Sequence, residues 1–163
     1  GAALSSLAWD FRGFLRHTTS ILLIRDPVDM LPSLDRQLQT PTLRDTGLKM
    51  QDELLQDLLT AGRNAPVLDA RELLLNPAGV LKQLCERIGI PFEPAMLHWP
   101  AGPRSEDGIW AKHWYHNVHR STGFQPYTPK TAPFPDRLRP LLAECDPHYE
   151  RLFKHAIKAN EPR

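Results

Sequence analysis

Two groups of residues in this sequence are of types that grip anions. The first is Arg25 with Ser33, eight positions apart, separated by Asp26-Pro27. A guanidinium offers a planar fork of donors and a hydroxyl offers one more, a combination suited to a phosphate or carboxylate. The second group, Arg104-Ser105-Glu106-Asp107-Gly108-Ile109-Trp110, brings a cation, a glycine and an indole together in a tract otherwise rich in Gly, Pro and charge. Three histidines, His113, His116 and His119, fall at i, i+3 and i+6. Two of them share a helix face, which invites a metal reading, but the third is out of line and no thiolate or acidic cluster stands beside them. Aromatic packing and ordinary hydrogen bonds are the simpler role, with anion contacts falling to Lys112 or Arg120. No metal site is assigned.

The elements that must position Arg25 and Ser33 are legible around them. Ile21-Leu22-Leu23-Ile24 is an unbroken branched apolar run and reads as a strand buried on both faces, the kind found inside a parallel sheet. Arg25 then stands at its carboxyl end, Asp26 is placed to cap the next helix, and Pro27 suits a first helical position. In open α/β sheets ligands bind beyond the carboxyl ends of the strands. An ordinary βα turn with a solvent-facing Arg25 is the bland alternative. The strand, Asp-Pro turn, Arg25 and Ser33 together resemble the 3′-phosphate-binding segment of the sulfotransferase family. That resemblance implies that Arg25 and Ser33 hold the 3′-phosphate of 3′-phosphoadenosine-5′-phosphosulfate (PAPS), a co-substrate. Arg104 to Trp110 resembles the family's later Arg-x-Gly-x-x-Gly-x-Trp loop, one residue short and without its first Gly. It implies Arg104, Gly108 and Trp110 as further contacts on the same phosphate side.

Composition narrows the rest. The chain has 163 residues, 41% hydrophobic, enough for one domain with a real core. Twenty basic residues against 19 acidic leave a formal charge of +1, so there is no polyanion-binding field and any anion site is local. A nucleic-acid partner is not expected. Cys85 and Cys145 have no C-x-x-C spacing, which argues against a disulfide framework or structural zinc and for reduced, cytoplasmic thiols. No apolar run approaches the roughly 20 residues of a membrane span, and Gly1-Ala2-Ala3-Leu4 has no signal-peptide pattern. The first residue is not Met, which reads as a fragment or a processed chain.

Along the chain, Leu4, Leu7, Ala8, Phe11, Phe14 and Leu15 predict an amphipathic helix covering the sheet. Pro32 falls inside the next expected helix, so its regular part is expected to begin there. Gln37 to Thr46 reads as a loop, Leu48 to Leu59 as a helix closed by Ala61-Gly62, and Pro66 to Ala70 as a second strand. Asn76-Pro77 opens another helix that Gly89 ends. This run matches the family's strand, "Tyr-Glu-Asp-Leu" segment and long helix ending in Gly-x-Pro-Phe, here Gly89-Ile90-Pro91-Phe92, except that Ala70-Arg71-Glu72-Leu73 replaces the first motif. Residues 94–135 form a loop-rich tract with Trp99, Trp110, Trp114 and four histidines up to Phe124. Within it, packing is the expected role of Trp99 and Trp114. Trp99-Pro-Ala-Gly-Pro, Asp107-Gly-Ile-Trp-Ala and His119-Arg-Ser-Thr-Gly-Phe124 are similar to a sulfotransferase-like subgroup often named after branched-chain aminotransferases. Two short helices, Leu138 to Glu144 and Pro147 to Lys158, are expected at the end.

The expected architecture is α/β, a P-loop NTPase-like three-layer αβα domain with a parallel sheet. All of residues 1–163 would form one such domain, present as its carboxyl-terminal portion. No Gly is followed by Lys-Ser or Lys-Thr, so the family's 5′-phosphosulfate loop has no match among these residues, nor does its general-base His; His17 adjoins the strand and reads as a surface residue. No catalytic residue is assigned. The implied function is sulfonate transfer from PAPS to a small-molecule hydroxyl or amine when the enzyme is complete, with this chain alone expected to be inactive. The competing expectations are a non-catalytic nucleotide-binding or interaction module on the same scaffold and, third, a nucleotide kinase relative.

Overall fold

A computed structural model describes residues 18–104, 106–108 and 116–159, with the side chains of 116 and 117 excepted. The expected helix from Leu4, the residue Trp110, His113, Trp114 and the side chain of His116 lie outside the described residues. The chain forms two compact units, residues 1–70 with 132–156 and residues 71–131 with 157–163. The described residues are mixed α/β with a parallel sheet.

In the first unit the apolar run becomes strand β1, Leu22–Ile24, paired in parallel with β2, Val67–Asp69. The register sets Leu22 against Val67 and Ile24 against Asp69. Leu22 and Ile24 point into the core, whereas Ile21 is 42% and Leu23 58% exposed. The expected burial of both strand faces is therefore corrected: successive strand side chains alternate, and only the Leu22/Ile24 face meets packed helices. The free-edge carbonyl of Leu23 accepts from Gln51 Nε2 at 3.0 Å.

Helix α1, Pro27–Leu38, starts where expected: Asp26 accepts from the Val28 N–H at 2.8 Å, and Pro27 occupies the first position. It does not restart at Pro32 but runs through it. Proline deprives the carbonyl four residues back of its donor, here that of Val28, which is half exposed and open to water. Leu31 and Asp35, buried on either side, hold the helix on the core. The expected loop before Thr46 contains a short helix, α2, Leu43–Thr46, which Thr42 opens by donating its backbone N–H and its hydroxyl to Asp45 Oδ2, each at 2.7 Å. Helix α3, Leu48–Thr60, follows and ends before Gly62, whose φ of 69° suits the left-handed turn.

Helix α4, Ala70–Leu75, leads from β2 into the second unit, and α5, Pro77–Ile88, follows at once. Asn76 caps α5 by accepting from the Gly79 N–H at 3.0 Å, and Gly89 ends it at φ 74°. Asn76 Nδ2 also donates to the Ala159 carbonyl, and the Ala159 N–H donates to Glu72 Oε2, which ties the late segment to these helices. Helix α6, His116–Arg120, lies further on in this unit.

Back in the first unit, the expected pair of final helices is one helix, α7, Arg139–Lys154, preceded by a single 3₁₀ turn at Asp136–Leu138. Pro147 sits within it on the solvent side, while Cys145 and Leu152, both fully buried, fix the helix on either side. Burial of those residues outweighs the proline penalty, about 3 kcal/mol in a helix interior. The core of this unit joins Leu22, Ile24, Leu31, Leu48, Leu55, Val67 and Leu152. Both cysteines are free and buried, and burial pushes the Cys145 thiol up, away from reactivity.

Candidate functional site

Arg25 follows directly on β1 and is exposed, and among the described residues it makes no ion pair or hydrogen bond. Asp26 is committed to the helix cap. Asp35, buried on the inner face of α1, is gripped through both oxygens by Arg137, and that hydrogen bonding holds its carboxyl below the usual range against the opposing effect of burial. Among the described residues the guanidinium at the strand end has no carboxylate partner.

Ser33 lies two turns into α1 and is half buried. Its Oγ accepts from Arg36 Nη2 at 3.2 Å. Sequence reasoning passed over Arg36, although the spacing Ser33-x-x-Arg36 already placed both on one helix face. The unit therefore carries two guanidiniums, of Arg25 and Arg36, and one hydroxyl between them in sequence on a single strand–helix element.

In the second unit Arg104 is exposed, and the segment that bears it is clasped from two sides. Asp107 Oδ2 accepts from the Arg104 backbone N–H at 2.8 Å, and His119 Nε2 lies 2.8 Å from the same oxygen. A carboxylate can only accept, so Nε2 carries the proton. The Arg104 backbone bond first, then His119, keep the Asp107 carboxyl below its ordinary range. The His119 carbonyl in turn accepts from the Gly102 N–H at 2.8 Å. An added Cβ at Gly108, which is exposed, would meet nothing within 4 Å among the described residues. Asp107 and His119 were legible as residues but not as a pair, since 12 positions separate them. Among the described residues no group of three or more His, Cys, Asp or Glu is arranged to hold a metal ion.

Trp99 packs edge-on against Phe124, ring centroids 5.3 Å apart, and donates Nε1–H to Ser121 Oγ at 2.9 Å. Its indole is spent on ordering the loop, as an indole in such a tract is expected to be. No helix among the described residues is long and apolar enough to cross a membrane.

The sequence model of the sulfotransferase domain matches residues 10–156. Two plant proteins are similar to the chain. The branched-chain-amino-acid aminotransferase-like protein 2 of Arabidopsis thaliana is 37% identical over 134 residues, 82% of this chain and 24% of that protein. The branched-chain-amino-acid aminotransferase-like protein 1 of the same plant is 40% identical over 136 residues, with the same shares. The chain thus spans about a quarter of the length of the curated relatives it matches. No solved structure matches. The match takes in both strands, the Asp26-capped helix and the clasped Arg104 segment, and the chain belongs to the sulfotransferase domain family.

Proposed function

We propose that the chain binds the 3′-phosphate side of PAPS, or of its product 3′-phosphoadenosine-5′-phosphate (PAP), and serves sulfonate transfer to a small-molecule hydroxyl or amine in the complete protein. Arg25 and Ser33 would grip the phosphate from the β1–α1 element. Arg104, Gly108 and Trp110 are proposed as further contacts. On this reading β1 and β2 are two strands of a P-loop-like three-layer αβα domain, working in the cytoplasm. The observation that carries the proposal is Arg25 itself: an exposed guanidinium at a strand's carboxyl end that makes no ion pair or hydrogen bond among the described residues.

PAPS supplies the sulfonate as a substrate, and this chain's residues contribute recognition. Holding the distant 3′-phosphate lowers the free energy of the bound ground state and of the transition state alike, so it tightens binding without speeding transfer. The groups that stabilise charge on the transferring sulfonate are of another kind, cations and backbone donors aimed at its oxygens. Because no Gly-Lys-Ser/Thr loop occurs in these residues, a binding module without chemistry is the second reading.

The test is calorimetric titration with PAP and with AMP, which lacks the 3′-phosphate. A charge-assisted hydrogen bond contributes about 1.5–3 kcal/mol, so PAP should bind about tenfold tighter or more. Equal affinities, or no binding of either, would remove the 3′-phosphate assignment.

A further inference from the structure

We propose that Arg36 belongs to the anion site and acts on the bound phosphate through the Ser33 hydroxyl, an inference that rests on the reading of Arg25 and Ser33 above. A serine hydroxyl donates one hydrogen bond and accepts through two lone pairs, whereas a guanidinium only donates. With Arg36 Nη2 3.2 Å from Ser33 Oγ, the serine oxygen is the acceptor and its own proton is directed elsewhere. A cation on the oxygen also polarises the O–H bond and strengthens it as a donor. The pair is therefore set to donate to an anion.

Charge on the rest of α1 supports this. Asp26 is spent on the cap and Asp35 on Arg137. Asp29, one turn before Ser33 on the same face, has an interaction of its own. Among the described residues Arg36 has the Ser33 hydroxyl as its partner rather than a carboxylate, so its charge is not cancelled within the helix. Arg25 and Arg36 then flank Ser33 along the element, and the ligand they suit is a doubly charged phosphate monoester rather than a ribose hydroxyl or a single negative charge. Arg36 is a positioning residue with a long-range charge contribution. A purely structural part is also available to it, since a cation in the last helical turn complements the helix dipole. That part would affect melting and not nucleotide choice.

The experiment is titration of the protein with PAP and AMP for wild type, Arg36→Gln, Ser33→Ala and the double variant, with melting temperatures alongside. Arg36→Gln is expected to weaken PAP binding about fivefold, the upper range for an exposed charge contact, and to leave AMP within about twofold. With Ser33→Ala already present, the same change should weaken PAP by less than about twofold, because coupled residues are non-additive. Arg36→Lys should fall between wild type and Arg36→Gln, keeping the charge and losing the fork. Equal effects of Arg36→Gln in both backgrounds overturn the route through Ser33. If Arg36→Gln changes only melting while Arg25→Lys weakens PAP, the inference fails and the 3′-phosphate reading stands. If wild type does not prefer PAP at all, that reading fails and takes this inference with it.

Discussion

Replacing Asp52 by Asn tests the electrostatic joint between α3 and α7. Asp52 is buried at 3% exposure, and its Oδ2 accepts from His148 Nδ1 at 2.7 Å and from Arg151 through Nε at 2.9 Å and Nη2 at 2.6 Å. Burial by itself would raise this carboxyl, but the Arg151 and His148 hydrogen bonds outweigh it and hold the group below the ordinary range. Breaking one side of a buried ion pair costs about 3–5 kcal/mol. Here the cost is smaller for two reasons. Asn keeps an acceptor oxygen, and the partners rehydrate, their side chains being 18% and 46% exposed. A loss of about 2 kcal/mol is expected, near the value of one charged hydrogen bond, which for a protein of this size lowers the melting temperature by about 4–8 °C. The sign of the pH dependence follows from the lowered value. A depressed carboxyl contributes stability that is present above its unfolded value, about 3.9, and is lost as pH falls through the lower folded value. The gap between wild type and Asp52→Asn should therefore be full at neutral pH and close progressively below about pH 4. Calorimetric melting across pH reads both effects. An Asn variant as stable as wild type at pH 7, or a gap that widens in acid, would refute the reasoning and mean that desolvation cancels the joint.

Arg25→Lys keeps the charge and loses the planar fork, so PAP binding should weaken while melting stays nearly unchanged; neutrality for binding, or unfolding, would make Arg25 a surface or structural residue. Asp146 is held above its ordinary value by burial, with Glu150 and Asp26 adding like charge. Asp146→Asn should therefore raise the melting temperature at neutral pH, by an amount that corresponds to about 0.5 kcal/mol, and a drop would show that the carboxylate has a compensating partner. The 163-residue chain by itself is expected to transfer no labelled sulfonate from PAPS to an acceptor panel, since losing even one donor to the transferring group commonly costs about 10²–10³ in rate; robust turnover would place such donors within these residues.

What the residues determined on their own were the features built from near neighbours. Asp26-Pro27 and Asn76-Pro77 opened helices because a side-chain acceptor and a missing N–H act within three positions, and Gly89 closed one because only glycine takes the left-handed turn without strain. The places of Arg25 and Ser33, at the end of an apolar run and on the helix after it, were legible in the same way. Family membership was legible too, because its motifs are short and local. Tertiary packing decided the rest. Pro32 and Pro147 read as breaks, yet both helices continue, since core residues on either side bury enough apolar surface to offset one lost hydrogen bond. The four branched residues of the first strand read as buried on both faces, but whether Ile21 and Leu23 meet anything depends on which helices pack there. Asp35 with Arg137, and Asp52 with His148 and Arg151, are joined across 102, 96 and 99 positions, distances at which no spacing rule operates. Local sequence supplies such charges, and only the packing of distant segments determines which of them are paired with one another.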